Sequence, residues 1–311
     1  MQMLFLLFNL WLGFIVYSPA EKLDTPNRQV AITFDDLPAS YGESEKILPK
    51  LIYILKKNQV PATGFINEAK LYENNREVSR RTQLLRDWLR AGLDLGNHSF
   101  SHVSIDQVSV QEYKQEIIRG EKITKRILGE AGKQMKYYRH TQLRTGPTQA
   151  YKMELEKFLK EKHYTIAPVT IDNDEYIFAH IYARAKARKD TATMNQVVNS
   201  YIPYMDTIFA FYEKLSTDFL EYEPKQILLL HANELNADHM ETLLSMMKKR
   251  DYQFISLDEA LEDKAYLLPD AQANKGYSWI QRWMLAKGLA ILEQPQVPLF
   301  ISELFEKYPN H

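Results

Sequence analysis

From Gln29 onward, short apolar runs alternate with longer stretches of helical periodicity. That alternation restricts the chain to a mostly parallel sheet joined by crossover helices. Val30-Ala31-Ile32 is the first extended run, and residues 62–66, 93–96, 137–138, 164–166, 226–230 and 252–255 supply the others. Between them, Ile47, Leu51, Ile54 and Leu55 recur at helical spacing, as do Leu84, Leu85, Trp88 and Leu89 ahead of Gly92. Tyr113, Ile117, Ile123, Ile127 and Leu128 predict one helix closed by Gly129 and Gly132, and residues 237–249 predict another.

The reactive residues fall at the ends of those runs. Thr33-Phe34-Asp35-Asp36 puts two adjacent carboxylates directly after the first run. Side by side at a strand end they repel and lose hydration, so a cation, a proton or a hydrogen-bond network must offset the cost. Gly96-Asn97-His98-Ser99-Phe100-Ser101-His102 supplies two imidazoles at the i, i+4 spacing that brings both to one side of a helical turn. One carboxylate with two histidines is a facial metal set with positions open for water and substrate. Arg139, Asp172 and His231 also follow extended stretches. In a β/α barrel all such ends share one face, so these residues would converge on one mouth. Taken singly, each has an ordinary reading: a helix-capping pair, a surface ion pair, a satisfied core histidine.

Composition narrows the chemistry. The 311 residues, 45% hydrophobic and 25% charged, suffice for one large domain or two modest ones. Lys and Arg total 39 against 40 acids, for a formal charge of -1. No basic stripe calls for a nucleic-acid partner. With no cysteine, disulfides, thiolate metal sites and a cysteine nucleophile are excluded. Residues 3–17 are apolar apart from Asn9, and Ser18-Pro19-Ala20 ends the run, which reads as a signal peptide over residues 1–20 although the positively charged start is missing. Export to the periplasm or the exterior is expected, with no stable span in the mature chain. An uncleaved membrane anchor is the main alternative.

With these residues in view, the chain resembles the polysaccharide deacetylase family, carbohydrate esterases related to chitooligosaccharide and peptidoglycan deacetylases. The family's Thr-Phe-Asp-Asp corresponds to Thr33 to Asp36, its His-Ser-x-x-His to His98, Ser99 and His102, and its late Leu-x-His to Leu229-Leu230-His231. The resemblance spans roughly residues 28–263 and implies a distorted β/α barrel. It implies Asp35 as catalytic base, Asp36, His98 and His102 as ligands of a divalent metal, and His231 as general acid. Zinc is the default metal, with cobalt or nickel as alternatives. Arg139 matches the family's arginine motif, and Asp172, within Thr170-Ile171-Asp172-Asn173-Asp174, its acidic motif. Asp172 is expected to set the protonation of His231, and a backbone N–H near Thr141 or Gln142 to hold the oxyanion. The implied reaction removes an acyl group, most simply acetyl, from the nitrogen of an amino sugar, so the expected partner is a carbohydrate bearing N-acetyl groups.

The chain also departs from the family pattern. The arginine motif continues as His140-Thr141-Gln142-Leu143-Arg144 rather than with prolines and an aromatic, and Tyr176 stands where a tryptophan is common. Leu37-Pro38 follows the two aspartates in place of the usual glycine. These changes bear on substrate shape. A non-catalytic carbohydrate-binding protein on the same barrel, or a deacylase of a non-sugar amide, is the competing reading.

Two stretches lie apart from the motifs. Residues 177–224 form a helical insertion whose Tyr201, Tyr204, Phe209, Phe211 and Tyr212 read as a core face ahead of a sugar-stacking platform. Residues 264–311 form a C-terminal helical extension packed on the barrel. There, Trp279, Trp283, Leu285, Leu289 and Ile291 predict a single amphipathic helix, and a second small element begins at Pro295.

Overall fold

The computed structural model describes residues 27–40, 42–273 and 275–308. The apolar N-terminal stretch read as a signal peptide lies outside these residues. Among the described residues nine strands run in chain order: β1 (Gln29–Leu37), β2 (Ala62–Ile66), a hairpin of β3 (Tyr72–Glu73) and β4 (Arg76–Glu77), β5 (Asp94–Asn97), β6 (Tyr137–Tyr138), β7 (Thr165–Ile166), β8 (Gln226–His231) and β9 (Gln253–Phe254). Apart from the hairpin they join one parallel sheet in the order β7-β6-β5-β2-β1-β8, with β9 also pairing β1. Val30 to Asp35 of β1 are all buried, as a parallel strand covered on both faces requires. Beyond β7 the chain crosses back, and Ile171 pairs in parallel with Leu228 of β8. This isolated bridge brings the segment after β7 against β8, at the other end of the sheet.

The helices surround it: α1 (Ser44–Lys57), α2 (Ser79–Arg90), α3 (Val110–Arg119), α4 (Lys122–Glu130), α5 (Gln149–Glu161), α6 (Glu175–Ala187), α7 (Thr191–Leu220), α8 (Glu234–Lys249), α9 (Leu257–Leu261), α10 (Trp279–Ala286) and α11 (Leu299–Lys307). The expected single helix through Tyr113 and Leu128 is two, broken at Gly120. A Cβ there would lie 2.5 Å from the Ser99 backbone, so the break lets the chain pass close behind the His98 loop. The insertion comprises α6 and the 30-residue α7. Val197, Tyr201, Met205, Ile208 and Tyr212 of α7 are fully buried at helical spacing, so the aromatic face is core.

In the extension, the helix expected to reach Ile291 stops at Ala286, ahead of Gly288 at φ 73°. The remaining chain returns to α6 through α11, where Phe305 meets His180 edge-on at 5.1 Å. Among the described residues no helix is long and apolar enough to cross a membrane.

Candidate metal and catalytic site

Adjacent residues on a strand face opposite ways, so Asp35 and Asp36 could not both reach one cleft from a regular β1. The strand is not regular. Phe34 pairs with Gly64 and Leu37 with Ile66, so β1 carries one extra residue, and Asp36 adopts φ 66°. This bulge turns both carboxylates to the barrel mouth. Register aligns the other groups: Asp35 lies directly opposite His231 on β8, Ile66 opposite Asn97 on β5, and Asn97 opposite Tyr138 on β6. His98 and Arg139 therefore emerge at the same level.

The two histidines sit on a loop rather than on a helical turn, which corrects the expectation from their spacing. Ser99 and His102 both have positive φ, at 66° and 57°. Asn97 Oδ1 accepts the Ser99 N–H at 2.7 Å, and Ser99 Oγ accepts the His102 N–H at 3.2 Å. Those bonds fold the loop so that the imidazole rings stand 5.0 Å apart.

Asp36, His98 and His102 bring one ligand atom each within 4.8 Å of one another. The His98 and His102 Nε2 atoms lie 3.8 and 3.6 Å from Asp36 Oδ1. His98 Nδ1 is 2.9 Å from the Arg139 carbonyl oxygen, so it carries the proton and Nε2 keeps its lone pair for a metal. Burial drives the His98 pKa down to about 4, so the ring is neutral, as a ligand must be. Burial works to raise the Asp36 carboxyl, but Lys70, His102, His231 and His98 together hold it well below the usual carboxylate range. Asp36 Oδ1 is buried without a hydrogen-bond partner. A shared cation between these three residues accounts for that orphaned oxygen, and the donor set of two nitrogens and a carboxylate fits zinc.

Asp35 stands beside this cluster, with Oδ2 3.7 Å from His98 Nε2. Its other oxygen is 3.4 Å from Nη1 of Arg139, a fully buried guanidinium that also donates to Thr33 Oγ1 at 3.0 Å and lies 4.5 Å from the Phe65 ring centre. Arg139 is thus held in the barrel interior with Asp35 as its charge partner.

Across the cleft, the partner of His231 is Glu175, which corrects the assignment of that role to Asp172. Glu175 Oε1 lies 2.8 Å from both the ring Nδ1 and the backbone nitrogen of His231, and Asn233 donates to Oε2 at 3.0 Å. Burial alone would lower the His231 pKa, but the Glu175 hydrogen bond and charge, with help from Asp36 and Asp35, raise it to about 9. Asp172 lines the cleft without bonding the imidazole. Burial, reinforced by Asp174 and Asp35, raises its pKa to about 7.

The cleft has a volume of about 590 Å³, and Gln142, Arg144, Asn173, Tyr176 and Gly276 line its walls. Thr141 is buried behind the wall, with its hydroxyl 2.7 Å from that of Tyr113, so of the two residues expected near the oxyanion only Gln142 reaches the cleft. His140, which reads as structural although its neighbour Arg139 puts it near the cleft, is buried with its ring stacked on Trp279. Sequence reasoning missed Lys70 and Glu175. Lys70 Nζ is 3.4 Å from Asp36 Oδ2 and donates to the Asp36 carbonyl at 3.1 Å. Nothing in the sequence signals it. Glu175 lies one residue past the acidic run that drew attention to Asp172, and its burial at the start of α6 was the missing clue.

The polysaccharide deacetylase family model matches residues 22–163. A peptidoglycan-N-acetylglucosamine deacetylase of Bacillus cereus is 33% identical over 105 residues, 34% of this chain and 34% of that protein. A chitin deacetylase of Colletotrichum lindemuthianum is 31% identical over 107 residues, 34% of this chain and 40% of that protein. These two matches thus cover well under half of either relative's length. The solved peptidoglycan deacetylase PdaC of Bacillus subtilis overlays with a TM-score of 0.48 at 18% identity, over 77% of this chain and 93% of that one. The matched segment contains Asp35, Asp36, His98, His102 and Arg139, and over residues 22–163 the chain is similar to the polysaccharide deacetylases.

Proposed function

We propose that this protein is a metal-dependent hydrolase that removes an acetyl group from the nitrogen of an amino sugar in an oligo- or polysaccharide. The observation that carries this reading is the pairing of Asp35 with His231 across β1 and β8, next to the Asp36-His98-His102 cluster. Base, acid and ligand set then face one cleft. When bound, a divalent ion supplies Lewis acidity and acidifies water. Asp35 takes the proton from the attacking water, with Arg139 balancing its charge. Gln142 lines the cleft, and a backbone N–H there would hold the developing oxyanion. His231, protonated and oriented by Glu175, gives its proton to the leaving amine nitrogen, so acetate and a free amino sugar result.

The relatives' printed names, peptidoglycan-N-acetylglucosamine deacetylase and chitin deacetylase, support N-acetylated sugar polymers as the substrate class. The apolar N-terminal stretch supports an exported protein, where such polymers lie. The test is a screen for released acetate against chitooligosaccharides, peptidoglycan fragments and acetylated xylan. Release from an N-acetylated substrate is expected. Release from the xylan alone would make the protein an O-deacetylase, and release from none would remove the reading.

A further inference from the structure

The family match ends at residue 163, yet chain beyond residue 264 lines the cleft at Gly276 and, from Gln294, bonds a residue that lines it. Gly276 lines it beside Gln142. A Cβ on Gly276 would fall 2.1 Å from the Gln142 carbonyl oxygen, so only glycine lets these two backbones meet. Gln142 and Leu143 have φ values of 54° and 53°, a strained turn that its surroundings must hold. Arg282 of α10 does part of this: fully buried, it donates to the Leu143 carbonyl and, at 3.2 Å, to Thr145 Oγ1, while gripping the Ala271 carbonyl at 3.0 Å. The second contact is at Asp174, another lining residue. Gln294 Nε2 donates to Asp174 Oδ2 at 3.1 Å, and its Oε1 accepts from Tyr212 at 2.9 Å. Asp174 immediately precedes Glu175, the partner of His231.

We propose that the C-terminal extension is a working part of the cleft, in which Gly276 and Gln294 are positioning residues: Gly276 backs the Gln142 turn, and Gln294 fixes the Asp174–Glu175 turn. Only the kinetic arm of its test rests on the deacetylase reading. The geometry predicts that a change at either residue loosens its own part of the lining and leaves the Asp36-His98-His102 cluster in place.

The test compares zinc-loaded full-length wild type, Gly276→Ala and Gln294→Ala with Gly288→Ala as a control. Gly288 has φ 73° and open space around it, so alanine there strains the extension away from the cleft. Amide exchange is expected to quicken at residues 140–146 in Gly276→Ala and at 172–176 in Gln294→Ala, with zinc retained. On an N-acetylglucosamine tetramer, well below the melting temperature, kcat should fall about tenfold or more in both, with KM little changed. Gly288→Ala should lower the melting temperature and leave both readouts alone. Unchanged exchange in both segments, or an equal loss of kcat in Gly288→Ala, would overturn the inference. If Gly276→Ala does not fold, Gln294→Ala decides by the same criteria. If wild type releases no acetate, the deacetylase reading fails and the exchange pattern alone decides.

Discussion

The two sides of the cleft are built differently. On the metal side, Asp36, His98 and His102 come from the segment that matches the family, and they are held by short-range loop bonds such as those of Asn97 and Ser99. On the acid side, His231 depends on Glu175 from another element, and the neighbouring Asp174 depends in turn on Gln294 of the extension. The metal side is therefore built within the family-matched segment, and the acid side is assembled from residues beyond it, the extension included. The first should respond most to changes at its own residues, whereas the second should also respond to changes in the extension.

The sharpest break of this comparison is His102→Ala. It should abolish stoichiometric metal binding and bring turnover to background while the protein stays folded, as metal analysis and circular dichroism would show. Unchanged metal content would mean that the cluster is not the ligand set. Next in size is Asp35→Asn, expected to keep the metal and lose turnover by about 10²–10⁴-fold, since an amide cannot accept the proton. Activity close to wild type would move the base elsewhere, with Asp174 the next candidate.

On the acid side the readout is the pH profile. As the proposed general acid, His231 would donate only while protonated, and its pKa is raised to about 9. Glu175→Gln should move the alkaline limb down toward the free-imidazole value of roughly 6.5. Asp172→Asn should move it much less, because Asp172 does not bond the ring. A larger shift from Asp172→Asn would restore the role expected for it from the sequence. The smallest effect is on stability. Because the folded pKa of His231 exceeds its unfolded value, the stabilisation from this pair is complete below about 6.5 and is lost as pH rises through about 9. Denaturant midpoints of wild type and Glu175→Gln should therefore differ at pH 6 and converge above pH 9.

The same contrast explains what was legible in the sequence. The parallel barrel followed from the alternation of short apolar runs with helical segments, and every expected strand is present. The candidate Asp36-His98-His102 cluster was legible because its residues lie in compact motifs. The bulge that turns Asp35 and Asp36 to the same mouth was not legible, since it depends on the register of β1 against β2. The break at Gly120 was hidden for a similar reason: the Tyr113 to Leu128 periodicity carries straight through it, and only the approach to Ser99 demands it. Glu175 was missed because a carboxylate that starts a helix looks like an ordinary N-terminal acid until its burial against His231 is seen. Lys70 reaches Asp36 from a turn 34 residues away, a contact that no local pattern announces.

The most direct test of the central claim is to strip the protein with a chelator and restore zinc while following acetate release from an N-acetylglucosamine oligosaccharide. The account predicts that release stops on chelation and returns at one zinc per chain in wild type. It also predicts that zinc restores nothing in His102→Ala. Release that continues undiminished after the metal is removed, or that zinc restores equally in His102→Ala, would contradict it.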